Sequence, residues 1–112
     1  MAYGRNKAHG RALSALADPT RRRLFETMRR RDQTVGELAT ALRITQPAVS
    51  QHLRVLKDAN LVTIRREGTR RYYRPSPEGL AQLKLYVQSL WDDVLKAYAA
   101  EDSEPPKKGR NR

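Results

Sequence analysis

The chain has no cysteine. That excludes disulfides, thiolate metal ligands and a cysteine nucleophile together. Histidine is nearly absent, with only His9 and His52. His9 stands alone in a basic segment, and a lone histidine has no partners for a metal site. No apolar run is long enough to span a bilayer, and no signal-peptide hydrophobic core is present, so the chain is expected in the cytoplasm, away from membranes. Apolar residues make up 38% of 112, enough for one small domain with a modest core. Domains of this size often complete their core by dimerising. Acidic residues are outnumbered, 12 against 23 Lys and Arg, which leaves a formal net charge of +11. Such an excess attracts polyanions, nucleic acid above all; a membrane surface or an acidic protein would fit charge alone. Nothing in the chain suggests an enzyme or a cofactor: there is no credible nucleophile–base pair, metal cluster or phosphate loop.

What is present centres on Thr34–Leu56. Thr34 and Glu37 have the spacing of a capping box, which starts a helix whose apolar side is Leu38, Ala39 and Leu42. Arg43-Ile44-Thr45 breaks the period. Thr45 caps a second helix, about Gln46–Ala59, and Pro47 is tolerated in its first turn. At ~100° per residue, Val49, Leu53 and Leu56 point one way, flanked by Ala48 and His52. His52 is therefore expected to be a partly buried structural histidine. Gln46, Pro47, Ser50, Gln51 and Arg54 point the other way. A solvated helix face usually carries Glu and Lys; short amide and hydroxyl side chains with an Arg suit base edges and phosphates.

The flanking segments support this pair of helices. Residues 1–11 are basic and are expected to be a flexible arm. Ala12–Ala17 is expected to be a short helix bearing Leu13 and Leu16. Asp18-Pro19 is a helix start, and the helix should run to about Arg31, with Leu24, Phe25 and Met28 inward and Arg29–Arg31 in its last turn. Asn60 can end the second helix of the central pair in a left-handed conformation. Leu61–Arg74 reads as a β-hairpin turning at Glu67-Gly68-Thr69, with Tyr72 and Tyr73 on opposite faces. Arg65, Arg66, Arg70 and Arg71 crowd its tip and stem. Ser76-Pro77 opens a final helix with Leu80, Leu83, Val87, Leu90, Val94 and Ala97 spaced as a seam, widened by Leu85, Tyr86, Trp91, Leu95 and Tyr98. Adjacent Asp92 and Asp93 face different directions and are read as solvated. Residues 101–112 are expected to be a flexible tail.

Three segments in order, LADPTRRRLFETM, TVGELATALRITQPAVSQHLRVLKDANLV and RREGTRRYYR, resemble the ArsR/SmtB family of winged helix-turn-helix transcriptional regulators. The likeness covers roughly Leu16–Pro75. It implies a mainly α fold with a small β-hairpin, in the order α-α-α-α-β-β-α, and a homodimeric repressor of double-stranded DNA. Many members sense metals or oxidants through cysteines on the first helix of the pair, but the matching positions here are Thr34, Gly36 and Ala39. Others use His and carboxylates on the last helix, which has no histidine here. No metal ligand is therefore assigned, and no pattern singles out a small-molecule effector.

On that resemblance, residues 12–100 form the DNA-binding and dimerisation domain, and the operator should be palindromic. Base reading is assigned to Gln46, Pro47, Ser50 and Gln51. Backbone contacts are assigned to Thr45, Arg54, Arg65, Arg66, Arg70 and Arg71. The dimer seam is assigned to Leu13, Leu16, Leu80, Leu83, Val87, Leu90, Trp91 and Val94. Two alternatives stay open: an architectural, nucleoid-type protein without sequence choice, and a winged helix that binds another protein.

Overall fold

Short polar side chains hold the first amides of the helices and set where they begin. In the structure, a computed structural model that describes the backbone of residues 2–102 and the side chains of residues 9–101, the order is α1 (Ala2–Ala17), α2 (Pro19–Thr27), α3 (Val35–Leu42), α4 (Gln46–Asp58), β1 (Val62–Glu67), β2 (Arg70–Pro75) and α5 (Pro77–Asp102). Asp18 accepts from the amides of Thr20 and Arg21 at 2.8 and 3.0 Å, and Pro19 follows at the first helical position. Thr34 Oγ1 accepts from Glu37 N at 3.1 Å while Glu37 Oε1 accepts from Thr34 N at 3.0 Å, completing the expected capping box. Thr45 and Ser76 cap α4 and α5 through Ala48 N and Gly79 N.

Two helices differ in extent from the sequence reading. α1 begins at Ala2, so the expected arm is helical from that residue instead of starting at Ala12. Glycine in a helix costs only about 1 kcal/mol relative to Ala, so Gly4 and Gly10 do not suffice to stop it. Packing favours continuation: Ala12 and Ala15 are buried, and the His9 ring stacks on Tyr86 of α5 at 4.3 Å. α2 is shorter than expected and stops at Thr27, so Arg29–Arg31 lie beyond its last turn. The cause is tertiary. Gln33 pairs with Tyr73 by two backbone hydrogen bonds, 3.1 and 2.8 Å, and its side chain donates to Thr27 O at 2.8 Å. The chain must leave the helix early to reach that bridge. Arg29 still donates to a terminal carbonyl, Glu26 O, at 3.2 Å. Of the expected tail, residues 103–112 lie outside the described residues, while Glu101 and Asp102 end α5.

Arg21 and Arg22 have a structural task. Arg21 Nε donates to Ala15 O at 2.9 Å, and Arg22 Nη1 to Leu16 O at 2.8 Å. These bonds satisfy carbonyls that the end of α1 leaves without helical partners.

The core lies where α2, α3, α4 and β1 meet. Leu24, Met28, Leu38, Val49, Leu53, Leu56, Leu61 and Val62 are fully buried there. β1 and β2 pair antiparallel from Val62↔Pro75 to Glu67↔Arg70. Gly68, at φ 62°, is the first residue of their two-residue turn and supplies the positive φ that a II′-type hairpin needs. α5 has 26 residues, ~39 Å at the usual rise, and its outer half projects from this core. The molecule is accordingly elongated, 65 × 29 × 25 Å. Helices, tight turn and hairpin together make a winged helix-turn-helix.

Candidate nucleic-acid interface

The turn between α3 and α4 is made by Arg43 in the left-handed region, φ 59°, after which Ile44 N returns to Ala39 O at 3.2 Å. The first turns of the two helices come close: a Cβ on Gly36 would lie 3.6 Å from Gln46 Nε2. Val49, Leu53 and Leu56 anchor α4 in the core, and His52 is half-buried on that inner side, as its position on the helix implies. Thr45, Gln46, Pro47, Ser50, Gln51 and Arg54 are all exposed. Among the described residues, the side chains of Gln46, Ser50, Gln51 and Arg54 have no hydrogen-bond partner within the chain. Their donors and acceptors are therefore available to a partner.

The wing stands beside this face. Ile64, Arg71 and Tyr73 of the hairpin line an open groove with Ser50, Leu53, Arg54, Lys57 and Asp58 of α4. A second groove runs from Ser50, Arg70 and Arg71 to Thr34 and Glu37 at the start of α3. Ser50 and Arg71 border both. The two grooves thus bring Ser50 and Arg54 of α4 beside Arg70 and Arg71 of the wing, and Arg66, Arg70 and Arg71 are exposed.

Arg65 departs from this pattern. Its Nε lies 2.8 Å from Asp32 Oδ2 and its Nη1 3.2 Å from Glu67 Oε1. Its guanidinium also rests over the Tyr72 ring at 4.6 Å. Asp32, and after it Glu67, push the Arg65 guanidinium above its ordinary value. Asp32 also reaches Arg74, at 3.7 Å. Sequence reasoning missed Asp32 and Gln33. They sit in a short loop, and their partners lie on the wing, more than thirty residues away. No local pattern signals such pairs.

The expected seam divides in two. Leu80, Val87, Leu90, Trp91 and Val94 are exposed, as is Leu13. Leu16 and Leu83 instead pack against the protomer's own core and are only partly exposed. Their side of α1 and α5 faces inward. Asp92 accepts from Gln88 Nε2 at 3.1 Å on the surface, consistent with a solvated carboxylate. Among the described residues, no group of three His, Cys, Asp or Glu is placed to hold a metal ion. No helix there is long and apolar enough to cross a membrane.

The family model described as bacterial regulatory protein, arsR family, matches residues 18–63. The HTH-type transcriptional regulator Rv2034 of Mycobacterium tuberculosis strain H37Rv is 49% identical over 89 residues, 80% of this chain and 83% of that one. The HTH-type transcriptional repressor SmtB of M. tuberculosis strain CDC 1551 is 42% identical over 96 residues, 86% of this chain and 65% of its own length. Among solved structures, the homodimeric winged helix-turn-helix DNA-binding domain of Mb0332 from Mycobacterium bovis is similar at a TM-score of 0.64 and 34% identity, covering 78% of this chain and 81% of that one. The chain belongs to the ArsR family of bacterial regulatory proteins.

Proposed function

We propose that the protein is a sequence-specific regulator of transcription, a symmetric homodimer that represses by occupying a palindromic operator. The observation that carries this reading is the exposed face of α4. Gln46, Ser50 and Gln51 are unpaired on a helix held from behind by Val49, Leu53 and Leu56. A helix of this kind fits the major groove, where amide side chains can bond a base edge in bidentate fashion and Pro47 can meet a thymine methyl. Thr45, Arg54 and the exposed wing arginines supply backbone contacts, and these make affinity fall steeply with salt. Two-fold pairing through α1 and α5 would present two such helices to successive major grooves, about 34–36 Å apart or a multiple of that. A similar domain in Mb0332 is described as homodimeric, and a similar chain in M. tuberculosis as a repressor, which supports both halves of the reading.

Selection from a random duplex library, followed by footprinting, tests the proposal. A discrete palindrome protected by a dimer is expected. Equal grip on selected and random duplexes in moderate salt would replace it with an architectural role. Failure to bind duplex DNA at all would favour a protein partner for the same surface.

A further inference from the structure

The hairpin register sorts the wing arginines into two kinds. Residues directly opposite on antiparallel strands share a face, and successive residues alternate faces. Arg65 and Glu67 therefore share one face with Arg70, Tyr72 and Arg74. Arg66 and Arg71, directly opposite each other, lie on the other face with Ile64 and Tyr73.

On the first face Arg65 and Arg74 are paired with carboxylates, and Arg70 has a neutral hydroxyl partner. Asp32 holds Arg65 at 2.8 Å and Arg74 at 3.7 Å, Glu67 holds Arg65 at 3.2 Å, and Arg70 donates to the Tyr72 hydroxyl at 3.5 Å. Among the described residues, the second face carries no such pair. Like charges directly opposite destabilise a sheet. Among the described residues, no carboxylate stands within ion-pair distance of Arg66 or Arg71. Both are exposed, and Arg71 borders the groove that Ser50 and Arg54 line on α4. An anion seated between the two guanidinium groups would relieve their repulsion, and each can offer it a fork of N–H donors.

We propose that Arg66 and Arg71 form a cross-strand clamp for a DNA backbone phosphate, and that Arg65, locked by Asp32, is a positioning residue that touches no phosphate. The assignment rests on the DNA-binding function proposed for the α4 face and narrows it. Asp32 reaches the wing from the α2–α3 loop, next to the Gln33–Tyr73 backbone bridge. Ion pair and bridge together tie the hairpin to the body of the domain. A wing tied in this way presents the clamp at a set offset from α4, and less ordering has to occur on binding.

The test is the salt dependence of binding to a labelled random-sequence duplex, measured by anisotropy on the full chain. The double variant Arg66→Ala/Arg71→Ala should lower the slope of log affinity against log salt by about 0.9 for each phosphate it no longer neutralises, and by about twice that for a two-fold dimer. The charge-neutral double variant Asp32→Asn/Arg65→Gln should keep the wild-type slope and show a lower melting temperature. A second measurement avoids any folding defect. In the wild-type chain, duplex should protect Arg66 and Arg71 from an arginine-modifying dicarbonyl and leave the reactivity of Arg65 unchanged. The assignment is overturned if the clamp variant keeps the slope, if the Asp32/Arg65 variant loses it, or if Arg65 is the arginine protected. A wild-type chain that shows no salt-dependent binding overturns the DNA-binding function along with it.

Discussion

Gly79, in the first turn of α5, lies against the carbonyl of Asn60, so closely that a Cβ at that position would stand 1.6 Å from Asn60 O. Asn60 is itself in the left-handed region, φ 63°, at the corner where α4 gives way to β1. The α5 helix and the end of α4 therefore meet backbone to backbone, with no side chain between them. Ser76 caps the same turn through Gly79 N at 3.1 Å and donates its own amide to Leu61 O at 2.8 Å.

Gly79→Ala should consequently be among the most damaging single-methyl changes in the chain. The obstacle is main chain and cannot rotate away. Overpacking typically costs about 1–3 kcal/mol, and here the loss should be at or above the upper end. Thermal melts at matched protein concentration check it, with about 4–8 °C expected for each kcal/mol in a domain of this size. An unchanged melting temperature would mean that α5 can shift freely against Asn60.

Asp18 gives a pH dependence with a definite sign. The backbone hydrogen bond from Arg21 is the main cause holding its carboxyl below the ordinary value of 3.8, aided by that from Thr20. Because the folded value is depressed, the stabilisation is present above 3.8 and is lost as pH falls through the lowered folded value. Asp18→Asn should retain much of the cap while removing this titration. Its stability should therefore fall less steeply below pH 3.8 than that of the wild type, in denaturant melts at stepped pH.

Val87 and Trp91 sit at 50% and 55% exposure near the middle of α5, too much apolar surface to leave in water. Val87→Asp should turn the proposed dimer into a monomer in sedimentation equilibrium, with the far-ultraviolet circular dichroism of the protomer kept. Leu83→Asp should unfold the protomer as well, because Leu83 packs on the core. If both variants behaved alike, the division of the seam into outer and inner residues would be wrong.

Gln51→Ala should relax sequence preference by about 1–3 kcal/mol at one base position of each half-site, with little change in salt slope. Arg71→Ala should weaken all duplexes about equally and reduce the slope. Competition titrations with single-base operator variants separate the two behaviours.

Most of the architecture was legible along the chain because its signals are local. A cap and its amide lie two or three residues apart, as at Asp18, Thr34, Thr45 and Ser76. The burial of Val49, Leu53 and Leu56 against an exposed Gln46, Ser50 and Gln51 follows from helical period alone. The hairpin turn follows from Gly68 between two β-prone runs. The extents of α1 and α2 were not legible, since what prolongs one and shortens the other lies elsewhere: Tyr86 under His9, and Tyr73 beside Gln33.

The sequence by itself therefore determined which elements form and which side of each is polar, because caps, periodicity and turns act over a few residues. Only the tertiary structure decided which arginines are free. Arg65 and Arg66 are neighbours of identical chemistry, and nothing local separates them. Strand alternation sends one to Asp32, in a loop thirty-three residues away, and leaves the other facing Arg71 with no carboxylate beside it among the described residues. Charge is a property of composition, but its neutralisation depends on which groups the fold brings within a few ångströms of each other.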